Sequence, residues 1–165
     1  MNLLTLREQL SGDQRHQDGL PAMKNLTKLL AAHRRVLFVL GRFDDVDAVL
    51  GDFVARAAGA RVDVVALVIL PEWSARTLEQ ETQERLTRVA TKASSSDIRI
   101  SAEVRLGEPV TTVLAAATRH EVDLIAMTTH RVGVIDRLLD HSVLEEVVRQ
   151  SPIPVIAICA PGKTR

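Results

Sequence analysis

The chain has 165 residues, enough for one domain with a core of its own, and its 21 basic residues balance 21 acidic ones. A neutral molecule with a pI near 7.0 sets up no overall field that would draw nucleic acid or an anionic membrane. Aromatics make up only 2% (Trp73, Phe38, Phe43 and Phe53, no Tyr), which excludes the stacked-base platforms of single-strand binders and leaves aliphatics to fill the core.

Residues 1–34 read as a helical amino-terminal extension and residues 35–165 as an α/β domain. The extension starts with a leucine cluster (Leu3, Leu4, Leu6, Leu10), passes through a polar loop over 11–21, and ends in a predicted amphipathic helix over 22–33. In that helix Met23, Leu26 and Leu30 recur at helical spacing. Residues 1–35 carry six Lys/Arg against three acids, so this arm is the basic part of the chain. Its leucines have the chemistry to pack on the protomer's own faces, to exchange across a dimer or to meet a partner protein, and packing within a dimer is the preferred reading. A membrane contact is disfavoured, because so few basic residues near a short helix bind a surface weakly.

From residue 35 the pattern alternates strand and helix, and the strands are continuous aliphatic runs of the kind a sheet covered on both faces needs. A strand over 36–40 leads to a helix capped by Asp44 and Asp45 that runs to about residue 58 and stops at Gly59. A second strand over 62–70 ends at Pro71, and a long helix follows over 74–93 with Leu78, Leu86 and Val89 as its inward stripe. The third strand spans 98–105. Pro109 then opens a helix to about residue 120, and a fourth strand covers 124–128. A helix over 142–149 and a fifth strand over 153–159 complete the order, with the lone Cys159 behaving as a small hydrophobe inside that apolar run. Each parallel pairing needs a crossover long enough to be a helix, so the fold class is a doubly wound parallel sheet of five strands. Its ligand crevice lies at the carboxyl ends of the strands, in the loops after the first and fourth. No bilayer-length apolar run and no signal-peptide pattern is present, and a lone thiol suits a reducing compartment, so a cytoplasmic protein is expected.

Three local motifs carry a likeness. They are Leu106-Gly107-Glu108-Pro109, then Val122-Asp123-Leu124-Ile125-Ala126-Met127, and finally Ser151-Pro152-Ile153-Pro154-Val155-Ile156. In this order and spacing the chain resembles the universal stress protein family over about three-quarters of its length, which implies the Rossmann-like strand order 3-2-1-4-5. Family members that bind ATP carry a glycine, two residues, a glycine, nine residues, and then glycine with Ser or Thr after the fourth strand. Bare backbone there lets amide N–H groups approach the phosphates. Aligning Met127 and His130 with the family's Met-Gly-Thr-His run places Thr128, Arg131 and His141 at the three glycine positions and Ser142 at the hydroxyl. Gly133, another common loop glycine, is kept. Gly41 stands where adenine-holding members present an aspartate.

The residues themselves leave several readings open. Arg131, Arg137, His130 and His141 have the chemistry to grip a phosphate or carboxylate, or they form a solvated polar loop, which is the preferred reading. Ser142 is either a retained phosphate contact or the N-cap of the helix behind it, with Glu145 completing a capping box. No ligand spacing supports His130 as a metal site, and no nucleophile motif supports catalysis.

The expectation is a non-enzymatic stress-response or regulatory homodimer, joined through its last strand by Ile153, Val155 and Ile156, without ATP in the family's usual mode and without a cofactor. The alternative is an adenine-nucleotide sensor that binds ATP through Arg131, His141 and Ser142 in place of the glycine cradle, within a candidate nucleotide or anion loop of Gly41, Thr128, His130, Arg131, Gly133, His141 and Ser142. A nucleotide-utilising enzyme of a related α/β family is the remote one, since no second substrate domain is evident.

Overall fold

Side chains of a strand alternate between the two faces of a sheet, so a run that is apolar at every position must be covered on both sides. The computed structural model describes residues 21–42, 44–129 and 137–161, with backbone alone at 21–25 and 137–142. Its elements are α1 (Pro21–Ala31), β1 (Arg35–Leu40), α2 (Val46–Arg56), β2 (Val62–Leu70), α3 (Arg76–Ala93), β3 (Ile98–Leu106), α4 (Pro109–Arg119), β4 (Leu124–Thr129), α5 (Arg137–Gln150) and β5 (Val155–Cys159). The five strands form one parallel sheet in the order β3-β2-β1-β4-β5.

Alternation divides the core. Val36, Phe38 and Leu40 of β1 face α1, α2 and α3 together with Val64, Ala66 and Val68 of β2. Leu37 and Val39 face the other way, with Val65, Leu67, Ile125 and Met127, onto Val113 and Ala116 of α4 and Val147 of α5. On the first face the rings of Phe38 and Phe53 stack with centroids 4.4 Å apart, both wholly buried. The helix of the amino-terminal extension joins this core: Leu30 is fully buried, Leu26 nearly so, and the Thr27 hydroxyl donates to the Arg56 carbonyl at 2.6 Å. The leucine cluster of residues 3–10 lies outside the described residues.

The sequence expectations need three adjustments. Leu78 is 46% exposed, so the inward stripe of α3 is carried by Leu86, Val89 and Ala90. β5 begins at Val155 instead of Ile153, because Pro154 has no N–H to give a ladder. The helix before it begins at Arg137, not Ser142, since residues 137–141 include good helix formers that extend it by more than a turn. Trp73, in the loop after β2, is 83% exposed.

Candidate functional site

The winding reverses between β1 and β4, which are neighbours in space but far apart in sequence, so the crevice opens beyond Leu40 and Thr129. β1 leaves the sheet through Gly41, and a turn closed by Asp44 N–H to the Gly41 carbonyl at 3.0 Å brings the Asp44 side chain back over the strand end. Its Oδ2 accepts from the Gly41 N–H at 2.7 Å and from the Thr128 hydroxyl at 2.8 Å. The same Gly41 N–H also lies 3.1 Å from Thr128 Oγ1. Three groups from two strand ends thus form a closed triangle, with Asp44 only 8% exposed.

Gly41 serves this arrangement by having no side chain. A Cβ there would sit 3.2 Å from Asp44 Oδ2, tight enough to push the carboxylate away.

Asp44 therefore does not cap α2, contrary to the sequence expectation. Asp45 does so alone, accepting from the Ala48 N–H at 3.3 Å from an extended backbone. One aspartate is spent on the helix and its neighbour on the crevice.

Of the sequence-derived site residues, Gly41 and Thr128 come together as described. His130, Arg131 and Gly133 lie outside the described residues. His141 and Ser142 fall inside α5, so Ser142 is not an N-cap: its backbone N–H is already within the helical ladder and unavailable to a ligand in the way a first-turn N–H is. Among the described residues no group of three or more His, Cys, Asp or Glu is placed to hold a metal ion.

The motifs behind the resemblance have structural tasks. Gly107 adopts φ +148°, and its N–H donates to the Leu70 carbonyl at 3.0 Å, turning the chain at the end of β3. Glu108 then caps α4, accepting from Val110 and Thr111 N–H at 2.9 and 2.7 Å, with Pro109 in the first turn. These backbone bonds hold its carboxyl below the usual glutamate range. Asp123 accepts from the N–H groups of Arg34 and Arg35 at 3.0 and 3.2 Å, tying the starts of β1 and β4 together, so it is a structural clamp.

The model of the universal stress protein family matches residues 32–158. The chain belongs to the universal stress protein family. Universal stress protein MJ0531 of Methanocaldococcus jannaschii is 33% identical over 108 residues, an alignment spanning 62% of this chain and 63% of that relative's length. Among solved structures, hypothetical protein MJ0577 superposes with a TM-score of 0.59 at 18% identity, covering 79% of this chain and 98% of that one. A universal stress protein in complex with cAMP gives 0.55 at 18% identity, covering 77% and 98%. The universal stress protein of Archaeoglobus fulgidus in complex with dAMP gives 0.52 at 20%, covering 76% and 96%. At these identities the superpositions establish the fold, and this universal stress protein has the family's strand order.

The edge expected to form the dimer belongs to β5, the terminal strand of the sheet among the described residues. Val155 and Ile156, however, are about nine-tenths buried in the chain's own core, while Ala157 is exposed. Any contact along β5 therefore runs through backbone, Ile153 and Ala157 more than through those two side chains. No described helix is long and apolar enough to cross a membrane.

Proposed function

We propose that this universal stress protein is a cytoplasmic, non-enzymatic stress-response regulator that acts as a homodimer and does not bind ATP in the family's usual mode. The observation that carries the reading is the triangle of Gly41, Asp44 and Thr128. Thr128 stands at the first glycine position, and the hydroxyl it adds is engaged by a carboxylate of the same chain. A phosphate brought to this spot would meet a negative charge and a β-branched side chain where bare amides are needed. Residues 1–34 serve as an arm that docks its helix on the domain and offers the rest to a partner protein.

The alternative, a nucleotide sensor built on Arg131, His141 and Ser142, draws its support from the complexes of similar folds with cAMP and dAMP. One experiment separates the two. A ligand at about 100 times its Kd adds about 2.7 kcal/mol to stability, which for a chain of this size raises Tm by about 5–10 °C. Melts followed by circular dichroism with millimolar ATP and magnesium are expected to show no shift beyond that given by pyrophosphate at the same concentration; a further rise of that size restores the sensor. Light scattering at micromolar concentration is expected to give a dimer, and a monomer there would refute that part.

A further inference from the structure

At the amino ends of β1, β2 and β3, remote from the crevice, an open groove of about 370 Å³ is bordered by Arg35, Asp63, Arg99, Ser101 and His120. Arg99 holds Asp63 through Nε at 2.8 Å and Nη2 at 3.3 Å. Arg35 reaches across from β1 and donates to the His120 carbonyl at 2.8 Å, which ties the end of α4 to the groove. Farther along β3, Glu103 is only 12% exposed and is hydrogen-bonded by Arg105, Arg119 and the His120 ring at once.

The charges do not cancel. Two guanidinium groups, Arg35 and Arg99, line the groove against one carboxylate, Asp63, and beyond it Arg105 and Arg119 share the single carboxylate of Glu103, so the row carries an excess of two positive charges with the His120 ring uncounted. Arg34 and Asp123 adjoin the groove and offset each other. This excess sits on a molecule whose total charge is zero. A guanidinium carries five N–H donors, and among the described residues the bonds made by Arg35 and Arg99 engage only a minority of theirs. Burial of Glu103 pushes its carboxyl up, yet the hydrogen bonds from Arg105 and His120 and the charges of Arg105 and Arg119 outweigh this and hold it below the usual range. The carboxylate thus stays ionised and gathers the cations into one row.

Charges on an edge strand also deter edge-to-edge pairing. That accounts for Arg99 and Arg105, but not for Arg35, Arg119 and His120, which converge on the same face from β1 and the end of α4. We propose that the groove is a second ligand site, separate from the crevice, that binds a small polyanion carrying two or more phosphate or carboxylate groups. Arg35 and Arg99 bind the anionic groups, the Ser101 hydroxyl adds a donor, and Glu103 acts as a positioning residue for His120.

Isothermal titration of the full chain with pyrophosphate at low salt tests the site. The expected result is one pyrophosphate per chain with Kd below about 1 mM, weakened about tenfold or more in Arg35→Ala/Arg99→Ala. Asp63→Asn keeps the side-chain shape and removes one competing charge, so it is expected to tighten binding severalfold; it carries the test if the arginine variant fails to fold. Arg85→Ala, which removes an exposed arginine of α3 paired with Asp47 and outside the groove, is expected to leave the affinity unchanged. Absence of binding, an unchanged or weaker affinity in Asp63→Asn, or an equal loss of binding in Arg85→Ala would each overturn the proposal.

Discussion

The bond between Asp44 and Thr128 joins two strand ends that lie 84 positions apart in sequence, so its strength can be measured as a coupling. Thr128→Val keeps the volume and branching and deletes the hydroxyl that donates to Asp44 Oδ2 at 2.8 Å. A hydrogen bond to a charged group contributes about 1.5–3 kcal/mol, and the carboxylate is only 8% exposed, so water replaces the lost donor poorly. Thr128→Val should therefore cost about 2 kcal/mol. Asp44→Ala loses both acceptor contacts but also removes a desolvated charge, so its cost should be about 2–3 kcal/mol. Together the two variants should cost less than their sum by about 1–2 kcal/mol, since each destroys the same bond. Urea unfolding followed by far-ultraviolet circular dichroism at neutral pH gives all four free energies. Simple additivity, to within about 0.5 kcal/mol, would mean that the triangle is only a geometric coincidence, and the account of the crevice would fall with it.

Four more outcomes follow from the packing and the charges. Phe53→Ala removes one member of the stack with Phe38 at 4.4 Å and should destabilise by about 3–5 kcal/mol, read from the urea midpoint. Gly107→Ala should cost about 1–3 kcal/mol, because φ is +148° and a Cβ would lie 2.9 Å from Thr112 Oγ1. Gly51→Ala, inside α2 with nothing within 4 Å of the added methyl, should instead stabilise by about 0.5–1 kcal/mol. Folding lowers the pKa of Glu103, so the unfolded chain binds that proton more tightly and acid favours unfolding. Its contribution is complete above the ordinary value of 4.5 and fades as pH falls through the lower folded value, so Glu103→Gln should flatten the acid limb of the stability curve; an unchanged limb contradicts this.

The sheet was legible because its strands carry the pattern that two-sided burial demands, and Asp123, Gly107 and Pro109 punctuate the elements where the backbone needs them. Helix starts were less so. Nothing in a linear reading says whether Arg137 or Ser142 opens α5, since both are compatible with the first turn of a helix and the choice depends on what the preceding loop does. The crevice was half legible: Gly41 and Thr128, both read from the sequence as site residues, do meet. The part of Asp44 was missed because capping is a local signal, visible in sequence, whereas an acceptor for a hydroxyl on a distant strand is not. The groove at the other end of the sheet was missed for the same reason. Its arginines come from β1, β3 and α4 and become neighbours only once the sheet is assembled.

Trp73 is the only tryptophan, and no tyrosine accompanies it. With its indole 83% exposed in the native state, it already meets nearly as much solvent as it would in an extended chain. Its emission should barely change colour when the core melts, so a fluorimeter set to follow denaturation would see an almost silent transition in this protein. The same indole stands in the loop following β2, at the carboxyl edge of the sheet, where its brightness would respond to whatever settles nearby.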